Sequence, residues 1–161
     1  MLAASCSKTS APAGALELCA GKTTPISAVQ GGGYYSPLEN SEITVGGIVT
    51  RVDPDNGFYL EEPADGRAGR ESRALFVATD SARVEPGMRI RLSGTVEEIG
   101  QRRDKLTTLT RPHSFEQCSK NNPLPLTRAD LPLGNPAREA LEGMRVSFGP
   151  GLVITDTYSM Y

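Results

Sequence analysis

The stretch that decides the fold is Glu42-Ile-Thr-Val-Gly-Gly-Ile-Val-Thr-Arg-Val-Asp-Pro-Asp-Asn-Gly-Phe-Tyr-Leu60. β-Branched residues dominate its first part, which predicts a strand, and paired glycines inside a strand are typical of a sharp bend. Asn56-Gly57 is a tight-turn signal. In the short strand that follows, Phe58 and Leu60 share one face and Tyr59 lies on the other. The stretch therefore predicts a long bent strand and a hairpin.

Three further strand signals follow at short intervals. Ala74–Thr79 is mostly apolar, and from Met88 to Val96 apolar residues alternate with polar ones. A loop over Glu98–Lys105 then leads to a fifth strand over Leu106–Phe115. A sandwich usually needs about seven strands, so five short strands without a long helix favour a barrel. The sequence thus predicts an all-β protein, with a five-stranded, OB-fold-like Greek-key barrel over residues 18–118.

The flanking regions carry weaker signals. Residues 1–17 are rich in Ala and Ser and predict a disordered linker, the remnant of an export signal, or an arbitrary start of the chain. Cys6 in this segment is a candidate lipid anchor. Pro25–Gln30 predicts a leading strand. Residues 119–161 predict a proline-rich connector, a short helix over Ala137–Leu141 and one or two strands, including Leu152–Thr155, packed on the barrel.

Composition narrows the class of protein. The chain of 161 residues has 38% hydrophobic residues, 17 glycines and 12 prolines, which fits short strands joined by turns. No run of 18 apolar residues occurs, so we predict no membrane-spanning segment. The net charge is only −2, yet residues 67–111 carry 10 basic and 6 acidic side chains. Nucleic-acid binders are usually more basic overall, so any such contact has to come from this middle third.

Three cysteines and one histidine limit the chemistry. Cys6, Cys19 and Cys118 do not form a CxxC motif, and His113 alone does not complete a Cys/His zinc set. From their spacing two interpretations stay open: free buried thiols, or one disulfide with an odd cysteine. His113 is predicted to be structural or exposed. Asp53–Gly57 lacks the downstream glutamate of a calcium loop and predicts a plain turn.

An ordered set of segments resembles the OB-fold domain of bacterial extracellular (sugar-nonspecific) nucleases. The resemblance covers about Leu18 to Tyr161, and its segments are Cys19–Gly31, Ser36–Leu38, Val45–Thr50, Gly57–Pro63, Leu75–Val77, Pro86–Glu97, Leu141–Val146 and Val153–Tyr158. In that family the region precedes an endonuclease/exonuclease/phosphatase-type catalytic domain. The resemblance implies a Cys19–Cys118 disulfide and export, either secretion or attachment to the cell envelope. Ala64–Arg73 departs from it, because this loop is more basic than the family's Asp/Gly-rich version.

The resemblance implies a non-catalytic accessory module of a secreted nuclease or phosphoesterase. Such a module aids nucleic-acid binding or positions the catalytic domain of the same parent chain. A single histidine cannot build that nuclease class's two-histidine metal site, so we predict no catalytic residues and no cofactor here. A divalent metal such as Mg²⁺ would belong to the catalytic domain. The alternative is a protein- or glycan-interaction or structural module of an exported protein, with no nucleic-acid role.

Candidate contacts to DNA or RNA follow from the usual binding face of OB folds. That face lies on strands two and three, between the first hairpin loop and the loop joining strands four and five. Acidic residues at Asp53, Asp55 and Glu61-Glu62 border it, so we expect weak, salt-sensitive binding. The predicted contact residues are Tyr59, Arg67, Arg70, Arg73, Arg102, Arg103 and Lys105.

Overall fold

The computed structural model describes residues 19–63, 70–80, 83–101 and 104–153. The predictions for residues 1–17 with Cys6, and for Arg67, Arg102 and Arg103, lie outside these ranges. Within them the chain forms two short helices and seven strands: α1 (Ile26–Gln30), β1 (Glu42–Asp53), β2 (Gly57–Glu61), β3 (Ala74–Ala78), β4 (Arg89–Gln101), β5 (Asp104–Ser119), β6 (Thr127–Ala129), α2 (Asn135–Glu139) and β7 (Val146–Phe148).

Five of the strands close into a barrel in the order β1-β2-β3-β5-β4. Neighbouring strands are antiparallel except β3 and β5, which run parallel with Phe76 opposite Thr108. Closure leaves none of the five with an unpaired edge. The predicted all-β class and the count of five barrel strands are confirmed.

The interior of the barrel is filled by the alternate residues of each strand. In β4, Ile90, Leu92 and Val96 are buried while Arg89 is exposed, as the alternation predicts. Each fully buried large apolar side chain contributes roughly 1.5–3 kcal/mol relative to exposure. The buried core comprises Ile26, Val29, Val45, Val49, Phe58, Leu60, Leu75, Val77, Met88, Ile90, Leu92, Val96 and Leu109.

Strand β1 bends where the sequence has its paired glycines. Its first half pairs with β4 and its second half with β2, and Ile48 belongs to both ladders. A Cβ atom at Gly47 would lie 2.8 Å from the carbonyl oxygen of Glu61, closer than real Cβ contacts. Glycine is therefore required there because β2 approaches the bend so closely.

Two of the predicted elements are wrong. Pro25–Gln30 forms helix α1, not a strand: Ile26 and Val29 are spaced by about one helical turn, and both are fully buried against the barrel core. Glu98–Lys105 is mostly strand, because the β4–β5 ladder continues to the pair Gln101–Asp104. Polar residues extend a strand when the neighbouring strand supplies the backbone hydrogen bonds, so tertiary pairing overrides local propensity here.

The C-terminal extension, residues 120–153, forms a small unit beside the barrel. Helix α2 begins two residues before the predicted helix, with Pro136 in its first turn. Strands β6 and β7 pair in parallel, so the prediction of one or two strands is met. Leu152 and Val153 are not in a strand, and the rest of that predicted strand lies outside the described residues.

Cys19 and Cys118 form a disulfide with their Cα atoms 5.6 Å apart. The bond joins the segment before α1 to the end of β5 and closes a loop of 99 residues. In the chain-entropy account such a loop contributes up to about 4–5 kcal/mol to stability. The disulfide is typical of an oxidising compartment. None of the helices in the described residues has the length and apolar character needed to cross a membrane.

Candidate nucleic-acid interface

The C-terminal extension contacts the barrel at β2 and at Ser72, which precedes β3. The hydroxyl of Ser72 donates a 2.6 Å hydrogen bond to the carbonyl oxygen of Glu142. The backbone N–H of Arg145 donates to Oε2 of Glu61 at 3.0 Å. Between them, Gly143 lies against the ring of Tyr59. The segment Glu142–Arg145 is thus held beside the strand that carries the predicted stacking residue.

Gly143 allows this close approach. Its φ of +65° is a left-handed conformation that favours glycine. A Cβ atom there would lie 3.2 and 3.3 Å from Cδ1 and Cε1 of Tyr59. Tyr59 also contacts Phe76 of β3, with ring centroids 5.0 Å apart at 54°. Two neighbours therefore fix the orientation of the Tyr59 ring.

A groove of about 430 Å³ opens between this ring and the extension. Tyr59 is half-buried in it, and the two arginines that flank it are exposed. Among the described residues that line the groove none is acidic, so these residues combine one aromatic surface with two positive charges. We call it the Tyr59 groove; it is lined by Thr50, Arg51, Tyr59, Gly143, Met144 and Arg145.

A second cavity of about 550 Å³ lies next to this groove, and Met144 lines both. Much of its wall is apolar, including Leu133 and Leu141 from the extension. We call it the arginine cavity, because its charged lining consists of Arg70, Arg73 and Arg128 together with Glu71 and Asp130.

The predicted contact residues fall into three places. Tyr59 lines the groove named after it, whereas Arg70 and Arg73 line the arginine cavity. Lys105 lies in β5, not in a loop, and its Nζ is 5.1 Å from the ring centroid of Tyr35. Tyr59 and the Arg70–Arg73 pair are therefore close to one another through Met144, while Lys105 belongs to a different surface.

Sequence reasoning missed the two arginines of the Tyr59 groove. Arg51 stands directly opposite Tyr59 in the β1–β2 ladder, and a register fixed by the Asn56-Gly57 turn could have identified it. Arg145 comes from a segment 86 residues later in the chain than Tyr59. Nothing in the local sequence indicated that it lies beside β2.

Of the acidic residues that argued against nucleic acid, Asp53 and Glu62 are engaged in other contacts, whereas Glu61 lies beside the Tyr59 groove and accepts the Arg145 N–H. Asp53 accepts hydrogen bonds from the backbone N–H of Asp55 and from Nδ2 of Asn56, so its carboxylate is used within the hairpin turn. Glu62 accepts the N–H of Ile26. Glu61 is fully buried. The predicted plain turn fits these contacts, and the described residues contain no group of three His, Cys, Asp or Glu suited to a metal.

Two carboxyls lie at the contact between barrel and extension: Glu61, which is buried, and Glu142, which is partly buried. Burial raises the pKa of Glu61, and the Arg145 N–H and the charges of Arg73 and Arg145 act in the opposite direction. Burial also raises the pKa of Glu142 to about 7. Hydrogen bonds from the Thr107 backbone and the Gln30 side chain lower that pKa, while nearby Glu139 and Glu98 raise it.

His113 is exposed and contacts two polar side chains on the surface, as the sequence predicted for an exposed histidine. Its Nε2 lies 3.3 Å from Oε1 of Glu42, and its Nδ1 lies 3.0 Å from the hydroxyl of Ser114. The side chains of His113 and Glu42 are 52% and 70% exposed.

No protein-family model and no curated protein matches this chain. The strand order, the disulfide and the two adjoining cavities therefore carry the functional inference.

Proposed function

We propose that this chain is a non-catalytic OB-fold module of an exported nuclease or phosphoesterase, and that it binds nucleic acid in the Tyr59 groove. The observation that carries the proposal is the arrangement of Tyr59 between Arg51 and Arg145, in a groove whose described lining residues include no acidic side chain. An aromatic surface between positive charges is the combination that binds single nucleotides of a strand.

The strand arrangement supports assignment to the OB fold. The closed order β1-β2-β3-β5-β4, with β3 and β5 parallel and a bent β1 shared between two neighbours, agrees with a five-stranded Greek-key barrel. OB folds bind oligonucleotides on the face of strands two and three, and Tyr59 is on the outer face of β2.

The groove suits one nucleotide chemically. Stacking of a base on an aromatic side chain contributes roughly 1–3 kcal/mol to the free energy of binding. An arginine side chain can donate two parallel hydrogen bonds to a phosphate group. A volume of about 430 Å³ falls in the range of small-ligand sites. Two arginines neutralise few phosphates, so binding should be weak and should decline as salt increases.

The proposed location follows from the disulfide, and the proposed partners follow from the resemblance to the nuclease OB-fold domain. A disulfide fits secretion or a cell-envelope location. Hydrolysis would be performed by a separate catalytic domain of the parent protein, with a divalent metal such as Mg²⁺. This chain would hold or orient the nucleic acid for that domain.

A second candidate, a protein- or glycan-interaction module, is favoured by one observation. Five large apolar side chains in the C-terminal extension are exposed: Leu126, Leu131, Phe148, Leu152 and Val153. Exposed apolar residues of this number are often covered by another protein surface when they are contiguous. The same residues would also suit contact with a catalytic domain, so this feature does not exclude nucleic-acid binding.

A binding titration tests the proposal. Fluorescence anisotropy of a labelled single-stranded oligonucleotide at low salt should show binding by the intact chain. Tyr59→Leu keeps an apolar side chain beside Gly143 and Phe76 but removes the stacking surface, so affinity should fall roughly 5- to 150-fold. Arg51→Gln should weaken binding and reduce its salt dependence.

Arg111→Gln is the matched control. Arg111 lies on β5, two strands from both β1 and β2, and its exposed ion pair with Glu97 contributes little to stability. Its loss removes the same charge as Arg51→Gln and should leave affinity nearly unchanged. Absence of binding at low salt, or equal losses for the Arg51 and Arg111 variants, would refute the nucleic-acid function.

A further inference from the structure

We infer that the Tyr59 groove and the arginine cavity form one continuous track, which binds a single strand of at least two nucleotides with Met144 between the two bases. This inference rests on the proposed function and goes further by naming the form of nucleic acid and a second base site.

The two cavities are neighbours because Met144 lines both of them. Their charged residues come from different parts of the chain. Arg51 and Arg145 line the first cavity, whereas Arg70 and Arg73, which precede β3, line the second. A single strand of nucleic acid that passes Met144 therefore meets arginine side chains on both sides.

The lining of the arginine cavity favours a base with its phosphate at the rim. Leu133, Ala140 and Leu141 form an apolar wall that suits a planar base. The cavity also contains Glu71 and Asp130, so its net charge is small. Asp130 is paired with Arg128 at 3.2 Å, and stacking should therefore contribute more to affinity at this site than phosphate contacts do.

The position of Tyr59 favours single strands over duplex. Its ring lies between β2 and the extension, with Gly143 close to its edge and Phe76 beside it. A base reaches that ring only when it has left its stack, which costs a few kcal/mol in a duplex and much less in a single strand. In this track Met144 separates the first base from the next, because Met144 lines both cavities.

A length series tests the track with the whole chain. The probes are a thymidine mononucleotide, a dinucleotide, a longer oligothymidylate and a duplex of the longer strand. The dinucleotide should bind roughly 5- to 150-fold more tightly than the mononucleotide, which is the gain for one further stacked base. The single strand should bind more tightly than the duplex.

Two variants test whether the gain in affinity from the second nucleotide comes from the arginine cavity. Ala137 is exposed on α2 and lines the cavity, so Ala137→Trp narrows it from the solvent side with little effect on folding. This variant should remove the gain between mononucleotide and dinucleotide and leave mononucleotide binding unchanged. Arg70→Gln changes no buried group and should reduce the same gain several-fold, with Arg111→Gln as the control for charge.

The outcomes separate this inference from the proposed function. Equal affinities for mononucleotide and dinucleotide, with both still weakened by Tyr59→Leu, would overturn the track and leave the Tyr59 groove as a nucleotide site. Equal affinities for single strand and duplex would also overturn it. Absence of binding by every probe would refute the proposed function itself, and the track with it.

Discussion

The barrel interior and the contact between barrel and extension are built on different principles. Inside the barrel, side chains such as Phe58, Leu60 and Leu75 are fully buried and apolar. At the contact, the extension is held by polar groups, including the buried carboxyl of Glu61 and the backbone of Glu142. The stability contributed by buried apolar side chains does not depend on pH, whereas the stability contributed by a buried carboxyl does. The barrel is therefore a rigid support, whereas the attachment of the extension responds to pH.

Removing a core side chain should produce the largest effect. Phe58→Ala deletes a fully buried ring of the barrel core, so the free energy of unfolding should fall by about 3–5 kcal/mol. Urea unfolding measures the change. Leu126→Ala, at an exposed position of the extension, is the control and should shift stability by less than about 0.5 kcal/mol. Similar losses for both variants would show that the barrel core is not the main source of stability.

Much more of the barrel than of the interface could be predicted from the sequence. Strand alternation, such as Ile90 and Leu92 against Arg89, is a local pattern that specifies which face is buried. The polar run through Glu98 carries no such pattern, so its strand conformation depends on the β4–β5 ladder. The same limit applies to α1, where two apolar residues, Ile26 and Val29, form too short a pattern to specify a helix.

The residues of the Tyr59 groove also differ in how far they could be predicted from the sequence. Tyr59 could be assigned to the outer face from its neighbours in β2 alone. Arg145 could not be assigned, because it reaches the groove only through the docking of a segment that is distant in sequence. Arg51 is intermediate, since β1 contains an irregularity between Val49 and Arg51 that obscures simple alternation.

Gly143→Ala should weaken the attachment of the extension without affecting the barrel. The left-handed φ of this residue and the nearby Tyr59 ring both oppose a Cβ atom, so docking should lose about 1–3 kcal/mol. Hydrogen exchange of the Arg145 N–H, which is bonded to Glu61, should become faster, while exchange in β2 should change little.

Gly149→Ala is the matched control for this variant. A Cβ atom at Gly149 would meet no atom within 4 Å, and the residue does not have a positive φ. Exchange at Arg145 should be the same as in the unmodified chain. Unchanged exchange in the Gly143 variant would show that the close contact with Tyr59 does not hold the extension in place.

The smallest expected effect is a pH dependence of stability that originates at the contact. The pKa of Glu142 is about 7 in the folded chain, against an ordinary value of 4.5. Between pH 4.5 and pH 7 the folded chain therefore binds a proton that the unfolded chain does not bind. Stability from this group is therefore complete below about pH 4.5 and is lost as pH rises through 7. Allowing for the partial exposure of the carboxyl, the loss between pH 5 and 8 should be about 1–2 kcal/mol.

Glu142→Gln isolates this group, because the amide is neutral at both pH values and similar in shape. In urea unfolding, the variant should be more stable than the unmodified chain at pH 8 and should show a smaller decline from pH 5 to pH 8. Some decline should persist, since burial also raises the pKa of Glu61. Glu39→Gln, at an exposed position, should retain the full decline. If Glu142→Gln retains it too, the attachment does not respond to pH through this residue, and the contrast with the apolar barrel would rest on Glu61 alone.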